Sequence, residues 1–148
     1  MFSSTSIIPL QILNIEDDGL HLMIQAKVNS INCHLLLDTG ASRTVFDKTQ
    51  ILKFIGPHEL EEHDKLSTGL GTDSMPTSSA NLIQFEIGEV IVSNFKAILL
   101  DLAHVNSSYE KMGFNTIDGV LGSDILFSYN AIINYKKLQL EVSLKPRK

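Results

Sequence analysis

The sequence predicts an all-β fold with one or two short helices, and three observations support this expectation. In residues 20–28 the apolar Leu20, Leu22, Ile24, Ala26 and Val28 alternate with His21, Met23, Gln25 and Lys27, which is the period-two pattern of a strand with one buried face and the second set outside. The pairs Asn29-Ser30 and Ser93-Asn94 separate apolar runs in the manner of two-residue turns, because asparagine tolerates a positive φ. Helical signals are confined to short stretches, chiefly residues 47–55 and 123–129.

The length and composition indicate one soluble domain that spans residues 1–148. The chain has 148 residues, of which 43% are hydrophobic and 20% are charged. No apolar run reaches the roughly 18 to 20 residues that cross a bilayer, so we expect no membrane contact. A net charge of −5 argues against a nucleic-acid partner. The first residues lack the pattern of a secretory signal, so we expect a cytoplasmic protein, or a mature fragment whose signal was removed.

Apolar runs bounded by turn residues predict the strands of the first half of the chain, at residues 7–13, 20–28, 31–37 and 44–46. Cys33 lies in the third run, where it resembles a small core hydrophobe, and a single cysteine excludes an internal disulfide. Asp47 is expected to cap a helix that continues through Ile55, and Gly56-Pro57 ends that helix.

A glycine-rich tip, Gly69-Leu70-Gly71, is expected to join two strands at residues 65–72 and 80–87. Glycine relaxes the backbone there, so the sequence predicts a mobile hairpin. A loop that cradles phosphate is the competing interpretation. The tip lacks the third glycine and the lysine of nucleotide-binding loops, and this favours the hairpin.

The last third of the chain predicts five further elements. Residues 88–100 indicate two strands joined at Ser93-Asn94, and residues 101–115 a surface loop with one helical turn. Residues 116–122 indicate a short strand that ends at glycine. A short helix is expected from Ser123 or Asp124, either of which can cap it, to about Tyr129. Residues 131–144 have the pattern of a β-hairpin.

Asp38 stands out because it ends the apolar run at residues 35–37 and is followed by Thr39 and Gly40. A carboxylate at the end of a buried strand loses water that apolar neighbours cannot replace, so its presence needs a reason. One reason is a turn in which Asp38 accepts backbone amides and Gly40 supplies a positive φ. The other is chemistry, and residues further along the chain bear on the choice.

Three features, in this order, resemble the retropepsin-like aspartic proteases. They are Leu36-Leu37-Asp38-Thr39-Gly40-Ala41-Ser42, the tip Gly69-Leu70-Gly71, and Val120-Leu121-Gly122 followed by a helix and a hairpin. The likeness covers about residues 25–142, and its ending is similar to cellular and bacterial members rather than retroviral ones. It implies a closed barrel, the acid protease fold, with one or two short helices and a flap hairpin at the glycine-rich tip.

The resemblance implies a homodimer, because the chain carries one Asp-Thr-Gly and such proteins need two. Asp38, Thr39 and Gly40 are then the catalytic residues. The two Asp38 carboxylates face each other about 3 Å apart and share one proton, so that one activates a water and the other donates to the scissile carbonyl. The two Thr39 hydroxyls lock the loops together, and Gly40 lets substrate approach the backbone.

The resemblance also implies which residues contact a peptide substrate. Gly69, Leu70 and Gly71 form the flap that closes over an extended peptide, and Ala41, Val120 and Leu121 belong to the cleft.

The resemblance bears on pH dependence as well. Ala41 stands where pepsin-like enzymes often carry a serine or threonine that stabilises the ionised carboxylate. Without that donor we expect a weakly acidic optimum rather than a strongly acidic one.

No metal or other cofactor is expected. His58 and His63 are five residues apart rather than the four of the zinc-protease helix. The chain also departs from the retroviral pattern, since Ser42 and Ser123 stand where those enzymes pair an aspartate with an arginine. Asp124 is expected to cap the helix or to meet Arg43.

We therefore expect an aspartic endopeptidase that cleaves extended, apolar peptide segments. The alternative is a non-catalytic dimeric module of the same fold that binds peptides, since fold does not dictate function. A third interpretation is a monomeric β-barrel in which Asp38 is only a turn residue. The complete Asp-Thr-Gly favours the enzyme, because a scaffold has no need for two facing carboxylates.

Overall fold

The computed structural model describes residues 4–15, 19–66 and 76–148, and its described residues form eleven strands. The strands are β1 (Thr5–Pro9), β2 (Gln11–Ile15), β3 (Gly19–Val28), β4 (Ile31–Leu37), β5 (Val45–Asp47), β6 (Leu60–Leu66), β7 (Pro76–Ile87), β8 (Val90–Leu100), β9 (Gly119–Leu121), β10 (Ile132–Asn134) and β11 (Gln139–Ser143). The helices are α1 (Ala103–Lys111), α2 (Ser123–Ser128) and the short 3-10 helices Gln50–Lys53 and Pro57–Glu59. None of the helices in this part of the chain has the length and apolar character of a membrane span.

Six strands close into a barrel in the order β3-β4-β9-β5-β8-β7, and β7 returns to β3. Lys27 and Val28 of β3 pair with Glu86 and Phe85 of β7 at the closure. The β4–β9 and β5–β8 pairs are parallel, and the other pairs in the ring are antiparallel. Closure removes the exposed edges that an open sheet would present. The expected closed barrel is therefore confirmed.

A second sheet of three strands, in the order β1-β11-β10, contains the C-terminal hairpin that the pattern predicted. The single strand predicted at residues 7–13 is wrong, because β1 joins this second sheet while β2 pairs with β3. Pro9 ends β1 and has no N–H with which to continue a ladder. The loop expected at residues 14–19 includes residues 16–18, which lie outside the described part of the chain.

The two-residue turn at Asn29-Ser30 is confirmed, with φ values of 50° and 69° that fit a type I′ hairpin. The turn predicted at Ser93-Asn94 is wrong, because β8 continues through it and the chain reverses instead after Ile87. Asn94 nevertheless has a φ of 53°. Even-numbered Val90 before it and odd-numbered Ala97 after it are both buried, so the core-facing phase of the strand changes at this asparagine.

The surface loop predicted at residues 101–115 is also wrong, because it contains the nine-residue helix α1. The apolar periodicity of this helix is interrupted by Asn106, a polar residue at a buried position. The Asn106 side chain accepts a hydrogen bond from the Ile117 backbone N–H (2.7 Å) and donates to the Ile117 carbonyl (3.0 Å). Tyr109, one helical turn later, packs in a small cluster with Met23. Met23, expected on the outer face of its strand, is therefore fully buried beside the helix.

Asp47 does accept backbone amides, although not at the start of an α-helix. One carboxylate oxygen accepts from Thr49 (3.1 Å) and Gln50 (2.8 Å), and the other accepts from Leu102 (2.7 Å). The expected helix through Ile55 is only the 3-10 helix Gln50–Lys53. The aspartate therefore ties this short turn to the segment that precedes α1.

Candidate active site

The parallel ladder between β4 and β9 places Asp38 at the end of the barrel. Leu36 is paired with Val120 and Leu37 with Leu121, and the Asp38 N–H continues the ladder to the Leu121 carbonyl at 3.1 Å. The strand stops there, so the backbone of Asp38 is held by the sheet while its side chain is exposed. The expected delivery of Asp38 to the end of a buried strand is confirmed.

The Asp38 carboxylate uses one of its two oxygens in the turn. Oδ1 accepts the Gly40 N–H at 2.9 Å, and the Asp38 carbonyl accepts the Ala41 N–H at 3.1 Å. Within the described residues, Oδ2 has no hydrogen-bond partner. The turn role and a chemical role are thus compatible in one side chain.

Gly40 does not have the positive φ that the turn interpretation assigned to it. A Cβ at this position would instead lie 3.3 Å from the Asp38 Oδ1 atom. Glycine therefore keeps the space beside the carboxylate clear, and this is a reason for its presence that the sequence pattern did not reveal.

A groove of about 310 Å³ adjoins Asp38 and Thr39. Its walls combine apolar and polar groups and come from β3, β4 and the C-terminal hairpin: Leu20, His21, Leu22, Leu36, Leu37, Ile133 and Tyr135. None of these seven was predicted to contact substrate. Ile133 and Tyr135 arrive through the β10–β11 hairpin, about a hundred residues after Asp38, and no local pattern indicates that proximity.

Of the residues predicted to contact substrate, the three that the structure describes, Ala41, Val120 and Leu121, do not line this groove. Leu121 is fully buried in the barrel, so it reaches the site through its carbonyl. Val120 is half-buried against the small cluster under α1, and Ala41 is half-buried with its carbonyl accepting the Ser123 N–H at 2.7 Å. The predicted flap tip, Gly69-Leu70-Gly71, lies outside the described residues.

A second groove of about 470 Å³ shares Thr39 and Ile133 with the first. Phe127 and Ile132 beside it are large apolar side chains that are 68% and 55% exposed. The Arg147 guanidinium lies 4.3 Å from the centre of the Phe127 ring. This face therefore presents an apolar surface directly next to the Asp-Thr-Gly turn.

Thr44 and Asp124 form a hydrogen-bonded bracket behind the turn. The Thr44 N–H donates to both carboxylate oxygens of Asp124 (2.9 and 3.0 Å), and the Thr44 hydroxyl donates to Oδ1 at 2.7 Å. The same hydroxyl accepts the Gly122 N–H at 3.0 Å.

The bracket decides between the roles that were expected for Asp124. Gly122 occupies the N-cap position of α2 and has no side chain, so neither Ser123 nor Asp124 is the N-cap residue, although Asp124 Oδ1 accepts the Ile125 N–H in the first turn at 2.9 Å. Among the described residues no ion pair joins Asp124 to Arg43. Asp124 binds Thr44 instead.

A buried carboxylate, Asp118, directly precedes β9 and lies beside β4, where its N–H donates to the His34 carbonyl at 2.8 Å. Its Oδ2 accepts the His34 N–H at 2.8 Å, and its Oδ1 accepts from Lys53 Nζ at 2.7 Å. Burial raises the pKa of the neighbouring Cys33 thiol, and the Asp118 charge adds to this effect. Burial also lowers the pKa of His34, and Asp118 partly opposes that change. Cys33 is therefore a protonated core residue rather than a nucleophile.

Comparisons with known proteins agree with this geometry. A family model described as aspartyl protease matches residues 24–125. A retropepsin-like aspartic protease from Rickettsia conorii is 22% identical, with 99% of this chain and 98% of that chain covered and a TM-score of 0.53. The retroviral protease-like domain of Ddi1 from Leishmania major is 13% identical, with 82% and 87% covered and a TM-score of 0.57. No curated protein matches the sequence.

Proposed function

Because the chain belongs to the aspartyl protease family, we propose that it is an aspartic endopeptidase that cleaves extended polypeptide segments. One observation supports this most directly: Asp38 is held by its backbone at the end of the barrel, and its carboxylate is exposed beside a groove. A residue with only a turn role would not need that groove. The groove has the size, and the mixture of leucine and isoleucine side chains with a few polar groups, that suit a side chain of a bound peptide.

The mechanism requires two Asp38 carboxylates, one from each chain. When the two carboxyl groups are held about 3 Å apart they share one proton, because two negative charges at so short a distance repel each other strongly. The ionised member removes a proton from a water that attacks the scissile carbonyl, and the protonated member donates to the carbonyl oxygen. The hydrogen bond from Gly40 to Oδ1 fixes the rotation of each carboxylate and leaves Oδ2 for this chemistry.

Two features support a homodimer around this site. Thr39 is exposed at the boundary of both grooves, where its hydroxyl can bind its twofold copy. In the described part of the chain, β10 is one of the two edge strands of its three-stranded sheet, and it carries the exposed Ile132 near the exposed Phe127. An exposed strand edge with apolar neighbours suits pairing with a second copy. Such a dimer would bury this surface and complete the active site at the same time.

The experiment that tests the proposal is cleavage of a diverse peptide mixture by the purified chain, with products identified by mass spectrometry. The control is Asp38→Asn, which retains the oxygen that accepts the Gly40 N–H but cannot ionise. We expect cuts between apolar residues that disappear in the control. Specific activity should rise with protein concentration if the dimer is weak.

Native mass measured in the same buffer separates the remaining interpretations. A dimer that makes no cuts would favour the peptide-binding module of the same fold. A monomer at every accessible concentration would favour the barrel in which Asp38 is only a turn residue. Cuts that persist in Asp38→Asn would contradict the aspartic mechanism.

The pH profile of cleavage tests the role of position 41. We expect a weakly acidic optimum, and we expect Ala41→Ser to move it to lower pH by adding a donor near the carboxylate. An optimum below about pH 3 in the unmodified chain would contradict this reasoning.

A further inference from the structure

Asp124 and Thr44 are not adjacent to the groove, yet they determine where the loop that follows Asp38 can lie. The loop of residues 39–43 is largely exposed and belongs to no strand. Inside the loop, the described hydrogen bonds are the two short turn contacts of Asp38 with Gly40 and Ala41. Its position must therefore be imposed by contacts with other segments.

Among the described residues, the hydrogen bonds that join this loop and its two ends to other segments come from one continuous stretch, residues 121–124. The Leu121 carbonyl accepts from Asp38 at the start of the loop (3.1 Å), and the Ser123 N–H donates to Ala41 in the middle (2.7 Å). Gly122 and Asp124 bind Thr44 at its end. The segment after β9 thus acts as a template along which the loop is laid.

The last of these contacts is the strongest by its chemistry. Three hydrogen bonds from Thr44 converge on the Asp124 carboxylate, and bonds to an ionised acceptor are roughly twice as strong as neutral ones. The Thr44 side chain is 1% exposed, so water does not replace a lost contact there. The Thr44 hydroxyl also accepts the Gly122 N–H, so one hydroxyl joins both Gly122 and Asp124 to the end of the loop.

We propose that Asp124 and Thr44 are positioning residues for the reaction, because their bracket fixes the loop that carries the Gly40 N–H and, through that loop, the distance and rotation of Asp38 within the dyad. This inference rests on the proposed function. In a dyad the carboxylates must meet at about 3 Å, and a misplacement near 1 Å costs about 100-fold in rate. A bracket that fixes the far end of the loop therefore acts on catalysis without contacting substrate.

The matched variants are Thr44→Val and Thr44→Ser. Valine has nearly the shape of threonine and lacks the hydroxyl, whereas serine keeps the hydroxyl and loses only a methyl group. We expect Thr44→Val to lower kcat by about 10- to 100-fold with KM changed by less than about threefold. Thr44→Ser should retain kcat within about threefold of the unmodified chain. Asp124→Asn, which keeps one acceptor oxygen, should lie between them.

Rates are measured on dimer quantified by native mass, at a temperature at which each variant is folded by circular dichroism. A purely structural role would lower the melting temperature of Thr44→Val and leave kcat per folded dimer unchanged, and this result would overturn the proposal. Equal losses of kcat in the valine and serine variants would overturn it as well, because the hydroxyl would then be irrelevant.

A second readout does not depend on cleavage. The N–H groups of Gly40, Ala41 and Ser123 all donate within the bracketed loop, so their hydrogen exchange, followed by NMR, reports its order. We expect exchange at these three amides to accelerate at least tenfold in Thr44→Val and to stay near the original rate in Thr44→Ser. Unchanged exchange in Thr44→Val would refute the bracket even if the chain proved to be no protease. Faster exchange with no cleavage by the unmodified dimer would instead support the bracket and refute the proposed function.

Discussion

Replacing Gly122 by alanine should disturb the Asp-Thr-Gly loop through one added methyl group. Gly122 has φ −104° and ψ −177°, an extended conformation that alanine also adopts, so the backbone itself is not strained. A Cβ there would, however, lie 2.7 Å from the carbonyl carbon and oxygen of Arg43 and 2.8 Å from the Ala41 carbonyl oxygen. Because these are backbone atoms of the loop, no side-chain rotation can relieve the overlap.

The geometry sets the size of the effect. Ordinary contacts of a Cβ begin at 3.4 Å, so the loop must retreat by about 0.7 Å. Overpacking of this kind costs about 1 to 3 kcal/mol, while the reduced freedom of the unfolded chain returns about 0.4 to 1 kcal/mol. The net loss is therefore about 1.3 kcal/mol at mid-range, which lowers the melting temperature by roughly 3 to 5 °C in a chain of this length. A displacement of this size should lower kcat/KM by about 10- to 100-fold.

Gly56→Ala is the matched control for this variant. Gly56 also precedes a short helix, with φ −85° and ψ 170°, and its added Cβ would meet only the end of the Glu59 side chain, at 3.1 Å. We expect this control to keep its activity and to melt within about 2 °C of the unmodified chain. Thermal unfolding and peptide cleavage are measured on both variants. A Gly122→Ala protein with unchanged melting temperature and activity would refute the claim that the loop packs too closely against position 122 to admit a methyl group.

Three further predictions concern residues away from the groove. Cys33 should react with a thiol reagent only at the rate of unfolding, because burial keeps the thiol inaccessible and raises its pKa. Labelling is followed by mass spectrometry, and rapid labelling of the native chain would contradict this prediction. The pKa of His34 is lowered by burial, so below its ordinary value of about 6.5 the unfolded chain binds more protons, and the free energy of unfolding should fall as the pH decreases through that window. The free energy of unfolding is measured by urea titration at about pH 7.5 and 5.5, and we expect His34→Gln to reduce the difference between the two pH values. An equal difference in the variant and the unmodified chain would show that His34 is not its source. Lys53→Met leaves the buried Asp118 carboxylate without its cation, and we expect the free energy of urea unfolding to fall by about 1 to 2 kcal/mol. This loss is smaller than that for a fully buried pair, because Lys53 is half exposed. Lys48→Met, at an exposed lysine nearby, should change stability by less than about 0.5 kcal/mol, and equal losses in the two variants would contradict the role of the ion pair.

The elements that the pattern predicted correctly are those whose determinants lie within a few residues. Alternation predicted β3, and the Asn29-Ser30 turn followed from the tolerance of asparagine for positive φ. The helix after Gly122 and the C-terminal hairpin were correct for the same reason. The end of β4 at Asp38 was equally local, because an apolar run gave way abruptly to polar residues.

The errors arose where a distant segment changed the environment of a residue. Met23 was placed outside because the pattern showed only its own strand, whereas α1 packs over that face. The pattern did not predict helix α1, because one of its buried positions is the polar Asn106, whose side chain is hydrogen-bonded to the Ile117 backbone. Asn94 resembled a turn because its positive φ is real, but β7 supplies ladder partners on both sides of it and keeps the strand continuous.

The sequence by itself determined the family, the barrel and the location of the carboxylate, since each depends on short motifs and on the order of strands. Only the tertiary structure decided what surrounds that carboxylate. Ile133 and Tyr135 reach the groove because β10 and β11 fold back beside β1. The Thr44–Asp124 bracket joins residues eighty positions apart. Such contacts follow from how the strands close on one another, and a local pattern carries no record of that geometry.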